Sequence, residues 1–133
     1  MGRNILGSLT EGPMRILLVD DADDIRLSTK LLLELYGHRV DCAKNGAEAV
    51  VLALRYPPDA ILMDISMPML NGFEAMRTLR KLPETQAVPI LALSAYLADQ
   101  AARDRALAAG ADACLEKPVS YELLSDFLLR CAK

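Results

Sequence analysis

Five times along this chain a short apolar run gives way to a longer segment with helical spacing, and that alternation restricts the fold more than any other feature. The short runs are RILLVD (15–20), HRVDCA (38–43), AILMD (60–64), PILALS (89–94) and ADACLEK (111–117). Each is too short to stand alone as a helix and is bounded by turn residues, which predicts a strand. Three are nearly continuous hydrophobics, as a strand covered by helices on both faces requires. Between them the spacing predicts helices. The clearest is Asp23 to Tyr36, with Ile25, Leu27, Leu31, Leu32 and Leu35 at helical spacing and Gly37 placed to end it. Others run over 45–56, stopping before Pro57, over 71–82, stopping before Pro83, and over 97–110, ending in Gly110. The last covers 120–132 and opens with Ser120 as N-cap and Glu122 behind it. Five right-handed βα units build an α/β fold, a doubly wound open sheet of five parallel strands flanked by five helices.

Such sheets bind their ligands outside the carboxyl ends of the strands, where the strand order reverses. The residues at those ends are Asp20 and Asp21, Asp64, Ser94 and Lys117. The remaining composition narrows the setting. At 133 residues and 53% hydrophobic, the chain has material for one substantial core. Residues 14–133 read as that domain, and 1–13, with Gly12-Pro13 at their end, as a tail or linker. The 15 basic residues are scattered singly against 18 acidic ones, which argues against a direct nucleic-acid surface. Cys42, Cys114 and Cys131 are odd in number and form no CxxC or Cys/His pattern, so neither a disulfide framework nor a zinc site is expected. No membrane span or secretory leader is visible, and a cytoplasmic location is expected.

Three carboxylates gathered in one crevice repel, and without a counterion one of them must take up a proton. A divalent cation removes the conflict. Oxygen ligands without a nearby His or Cys favour a hard ion, and Mg²⁺ suits a site of few carboxylates that also binds phosphate oxygens. Metal, Lys117 ammonium and Ser94 hydroxyl together suit a phosphoryl group, toward which Asp64 can act as nucleophile. Asp23 and Asp24 instead sit where first-turn acids favour a helix dipole. His38 reads as structural or solvated, and Met63, Met67, Met69 and Met76 as packing residues.

The stretches VDDADD, LMDISMPMLNG, LALSAY and CLEKP, in this order, resemble the receiver domain of two-component response regulators over about residues 14 to 131. The resemblance implies a chemotaxis-regulator-like, flavodoxin-like sheet of strand order 2-1-3-4-5. It implies Mg²⁺-dependent transfer, with Mn²⁺ as a substitute, from the phosphohistidine of a histidine kinase or histidine phosphotransfer protein. Asp64 matches the phosphoacceptor, Asp21 the direct metal ligand, Asp20 its water-mediated neighbour, and Ser66 a ligand through its backbone carbonyl. Ser94 matches the switch hydroxyl, Lys117 the phosphate-pairing lysine, and Lys117-Pro118 a cis peptide. Such a protein is a signalling switch that catalyses its own aspartyl phosphorylation and dephosphorylation, rather than an enzyme.

Two positions depart from the family pattern. Cys114 stands where receivers usually carry Tyr or Phe three residues before the lysine, so the hydroxyl–aromatic relay is not expected in its usual form. Tyr96, two after Ser94, is placed to impede hydrolytic water, which implies a longer-lived phosphoprotein. With Lys133 just past the fifth helix, output through contact with a downstream protein is expected. The rival readings are a phosphorylation-independent docking receiver and, remotely, a haloacid dehalogenase-type phosphohydrolase. The latter expects DxDx followed by Thr or Val, whereas Asp21-Ala-Asp23-Asp24 runs into Ile25.

Overall fold

A computed structural model of the chain describes residues 13–65, 72–95, 100–117 and 120–131. Strands β1 (Arg15–Val19), β2 (Arg39–Ala43), β3 (Ala60–Asp64), β4 (Ile90–Ser94) and β5 (Ala113–Glu116) alternate with helices α1 (Asp23–Leu35), α2 (Gly46–Arg55), α3 (Gly72–Lys81), α4 (Gln100–Ala109) and α5 (Tyr121–Cys131). All neighbouring strands pair in parallel in the order β2-β1-β3-β4-β5. This is the five-stranded doubly wound sheet that the alternation predicts, with the order that the resemblance implies.

The side-chain period of two sorts each strand's residues to opposite faces. Leu17, Val19, Ile61, Met63 and Ala92 pack with Ala49 and Ala53 of α2, Met76 and Leu79 of α3, and Ala106 of α4. Ile16, Leu18, Leu62, Leu91 and Leu93 face Leu33 of α1 and Leu124 and Leu128 of α5. The central strands β3 and β4 are buried at every position, which is why they read as unbroken hydrophobic runs. Met63 and Met76 are core residues, while Met67 and Met69 lie outside the described residues.

Helix ends follow local chemistry. The Asn45 side chain accepts from the Glu48 N–H at 2.8 Å, and the Ser120 hydroxyl from the Leu123 N–H at 3.3 Å, as an N-cap does. Gly37 and Gly110 close α1 and α4 at φ of 96° and 124°, a region side-chain-bearing residues avoid.

The helix that the spacing predicts from Asp23 forms as Asp23–Leu35, but its burial does not follow the spaced residues: Ile25, Leu27, Leu31 and Leu35 are 46, 57, 56 and 78% exposed, Leu32 is half-buried, and the buried leucine is Leu33. N-terminal to Leu33, a recess of about 450 Å³ is lined by Ile25 and Leu32 of α1, by Leu18, Leu62 and Leu93 of the sheet, and by Leu124 of α5. Spacing within a helix identifies an apolar stripe, but the position of the neighbouring helix decides whether the sheet covers it.

Candidate functional site

Because the chain passes from β1 outward to β2 and then back across to β3, the carboxyl ends of β1 and β3 border the crevice where the order reverses. Asp20 follows β1 directly and Asp64 is the last residue of β3; both are buried, and Asp21 beside them is exposed. Carboxylate oxygens of Asp20, Asp21 and Asp64 lie within 4.8 Å of one another. The Lys117 ammonium reaches in from the end of β5 and donates to Asp64 Oδ2 at 3.0 Å and to Asp20 Oδ2 at 3.3 Å. Burial of Lys117 works to lower its pKa, but its hydrogen bonds and charge interactions with Asp64 and Asp20 outweigh that and raise it. The lysine is therefore held as a cation.

The backbone fixes these side chains. The Asp20 N–H donates to the Ala43 carbonyl at 3.1 Å, extending the β1–β2 ladder to the site, while its Oδ1 accepts from the Ala22 N–H at 2.9 Å. The Lys117 N–H donates to the Ser94 carbonyl at 2.8 Å, tying the lysine to the end of β4. Ser94 is buried one position beyond Leu93, the ladder partner of Asp64. Strand-end placement thus brings together Asp20, Asp21, Asp64 and Lys117 and sets Ser94 on the adjoining strand end. Ser66, Tyr96 and Pro118 lie outside the described residues. Cys114 is buried on β5 in the α2–α3–α4 core, and burial pushes its thiol pKa up.

Two contributors escaped the sequence reading. Arg26, on the first turns of α1, donates to the Asp20 carbonyl at 2.9 Å and pairs with Asp23 at 2.6 Å, so it anchors the acidic loop through its backbone. Gly72 opens α3 so close to the site that a Cβ there would stand 3.2 Å from the Asp64 carbonyl oxygen. An arginine six positions past Asp20 carries no motif, whereas the Asn71-Gly72 pair was legible as a helix start and not as a close approach.

Three carboxylates facing one ammonium leave an excess of negative charge that a hard divalent cation would balance, and the all-oxygen donor set fits such an ion. Among the described residues, no helix is long and apolar enough to cross a membrane.

Residues 16–128 match the response regulator receiver domain family. The protein PilH of Pseudomonas aeruginosa is 48% identical over 77 residues, which cover 58% of this chain and 64% of PilH. The gliding motility regulatory protein of Myxococcus xanthus is 38% identical over 119 residues, 86% of this chain but 15% of that protein. The chain thus spans less than two thirds of either relative's length. Among solved structures, the receiver domain of the sensor histidine kinase PA1611 from Pseudomonas aeruginosa, described with a magnesium ion coordinated in its active site cleft, superposes with a TM-score of 0.82. It is 36% identical, and the match covers 91% of this chain and 98% of that one. The chemotaxis protein CheY4 of Vibrio cholerae gives a TM-score of 0.80 at 32% identity, over 88% and 97% of the two chains.

Proposed function

The chain belongs to the response regulator receiver domain family, and on that premise we propose that it accepts a phosphoryl group on Asp64 from a partner phosphohistidine. The observation that carries this reading is the buried Asp64 carboxylate, held by Lys117 within an acidic cluster that includes Asp20 and Asp21. The donor is a histidine kinase or a histidine phosphotransfer protein, the setting is cytoplasmic, and residues 14–133 form the receiver unit.

Asp20, Asp21 and Asp64 would hold Mg²⁺, which supplies charge neutralisation for the phosphoryl oxygens. An Asp64 carboxylate oxygen forms the new bond to phosphorus as the bond to the donor's imidazole nitrogen breaks, and the imidazole leaves with that electron pair. The Lys117 ammonium, already 3.0 Å from the acceptor carboxylate, pairs with the charge on the transferred group, and Ser94 supplies a hydroxyl donor from β4. Hydrolysis of the acyl phosphate returns the switch, and the phosphorylated state changes contacts with a downstream protein. Cys114 offers far less surface than an aromatic residue, so readout through the segments following β3 and β4 fits this chain better than an aromatic swing from β5.

Incubation with acetyl phosphate, followed by intact mass, tests the reading. A single phosphoryl adduct is expected that requires Mg²⁺ and is lost in Asp64→Asn. An adduct that persists in Asp64→Asn places the acceptor elsewhere. A folded, Mg²⁺-binding protein that forms no adduct is instead a docking receiver.

A further inference from the structure

At the far end of the sheet from the acidic cluster, the chain's one histidine is buried where three elements meet. His38 leads into β2; its Nδ1 accepts from the Met14 N–H at 3.2 Å, just before β1, and its Nε2 lies 3.1 Å from the Tyr121 hydroxyl on the first turn of α5. The Tyr121 ring stacks on that of Tyr36 at the end of α1, with centroids 3.6 Å apart and planes 6° from parallel. We propose that His38 is an acid-sensitive latch, which ties the entry to β1 to the corner formed by α1, β2 and the first turn of α5 while its imidazole is neutral and loosens that corner on protonation.

The hydrogen bonds assign the state. A backbone N–H can only donate, so Nδ1 carries no proton, and the neutral ring's proton sits on Nε2 and is donated to Tyr121. Protonation from solvent must occur at Nδ1. It removes the acceptor for Met14 and sets two N–H donors against each other in a buried position, and because Nε2 still donates to Tyr121 the displaced ring carries that contact with it.

The surroundings offer the imidazolium little compensation. A polar recess beside His38 is lined by Arg15 of β1, Glu34 of α1, and Arg39 and Asp41 of β2. Asp41 is already paired with Arg15 at 3.0 Å, and Glu34 with Lys30 at 3.8 Å. From α5 the facing group is the Tyr121 phenol, whose pKa is raised by burial and which stays neutral through the acid range. Burial likewise lowers the His38 pKa from 6.5. A histidine whose folded pKa is depressed binds fewer protons than in the unfolded chain, so its contribution to stability is complete above pH 6.5 and is lost as the pH falls through 6.5 toward the folded value.

With one histidine and no tryptophan, both halves of the latch can be read separately: the His38 ring proton by NMR, and the stacked tyrosines by near-ultraviolet circular dichroism. Between pH 8 and 5, without metal or phosphodonor, His38 is expected to titrate with a midpoint below 6.5 and the tyrosine signal to change at the same midpoint. His38→Asn keeps an acceptor for the Met14 N–H but no titrating ring, and its tyrosine signal should not change over that range. The latch is overturned if His38 titrates at 6.5 or above, if the tyrosine signal stays constant through the titration, or if His38→Asn changes as the wild type does. Should that variant fail to fold, the two wild-type midpoints decide alone. Because no phosphoryl chemistry enters, failure here leaves the Asp64 reading untouched.

Discussion

Two buried carboxylates share the Lys117 ammonium, and removing it would leave both without that charge partner. Lys117→Met should therefore slow formation of the Asp64 adduct by about 10²-fold, the usual loss when one electrostatic donor to a developing charge is removed. Quenched time points read by intact mass check this at neutral pH. The raised lysine pKa means that its favourable contribution is complete below about pH 10.5 and is lost only above that, so the deficit should hold constant from pH 6 to 9. At this scale the acids and the lysine were legible from the sequence because each ends an apolar run, and a strand end has only one edge of the sheet to reach. His38 reads as structural or solvated and is structural, but its pairing was not legible. Its partner Tyr121 stands 83 positions away, and nothing in the local sequence announces the pair.

Among the elements, α1 departs most from what its spacing suggests. Leu27 and Leu31 lie one turn apart on a face that the structure leaves exposed, while Leu33 is fully buried against Ile16, Leu18 and Leu62. Leu27→Gln and Leu31→Gln should each change unfolding free energy by no more than about 0.5 kcal/mol. Leu33→Ala should cost about 2–5 kcal/mol. Urea titrations of the three variants distinguish this packing from one in which the 27/31/35 stripe is core, where the order of losses would reverse. The strands, by contrast, came out within two residues of expectation at each end, with β3 unchanged at 60–64. Their turn residues and continuous apolar runs carry the boundaries locally, whereas a helix's inward face depends on what packs beside it.

The whole molecule is also secured at the end opposite the acidic cluster, where Arg80 joins segments distant in sequence. From the last turn of α3 it donates to the carbonyls of Gly110 at 2.9 Å, Gln86 at 3.1 Å and Val88 at 2.6 Å, and pairs with Asp112 at 2.9 Å. Asp112 in turn accepts from the Ile90 N–H at 2.8 Å, so one guanidinium ties the turns entering β4 and β5 together. A Cβ at Gly110 would stand 2.6 Å from Arg80 Cγ, on a backbone already at φ 124°. Arg80→Ala should destabilise the domain by about 2–4 kcal/mol, since several carbonyls lose their donor at once, and Arg80→Lys should recover only part of it. Thermal unfolding of both variants measures this. The sequence by itself determined the five βα units, the parallel sheet and the residues at its carboxyl edge, because apolar period, turn residues and strand length act over a few neighbours. Only the tertiary structure decided which leucines of α1 are buried, that Arg80 gathers the loops, that Arg26 and Gly72 shape the acidic site, and that His38 meets Tyr121. Each of these depends on where separate elements come to lie, and a contact between elements is set by the packing of the whole sheet and its helices rather than by the residues beside it in the chain.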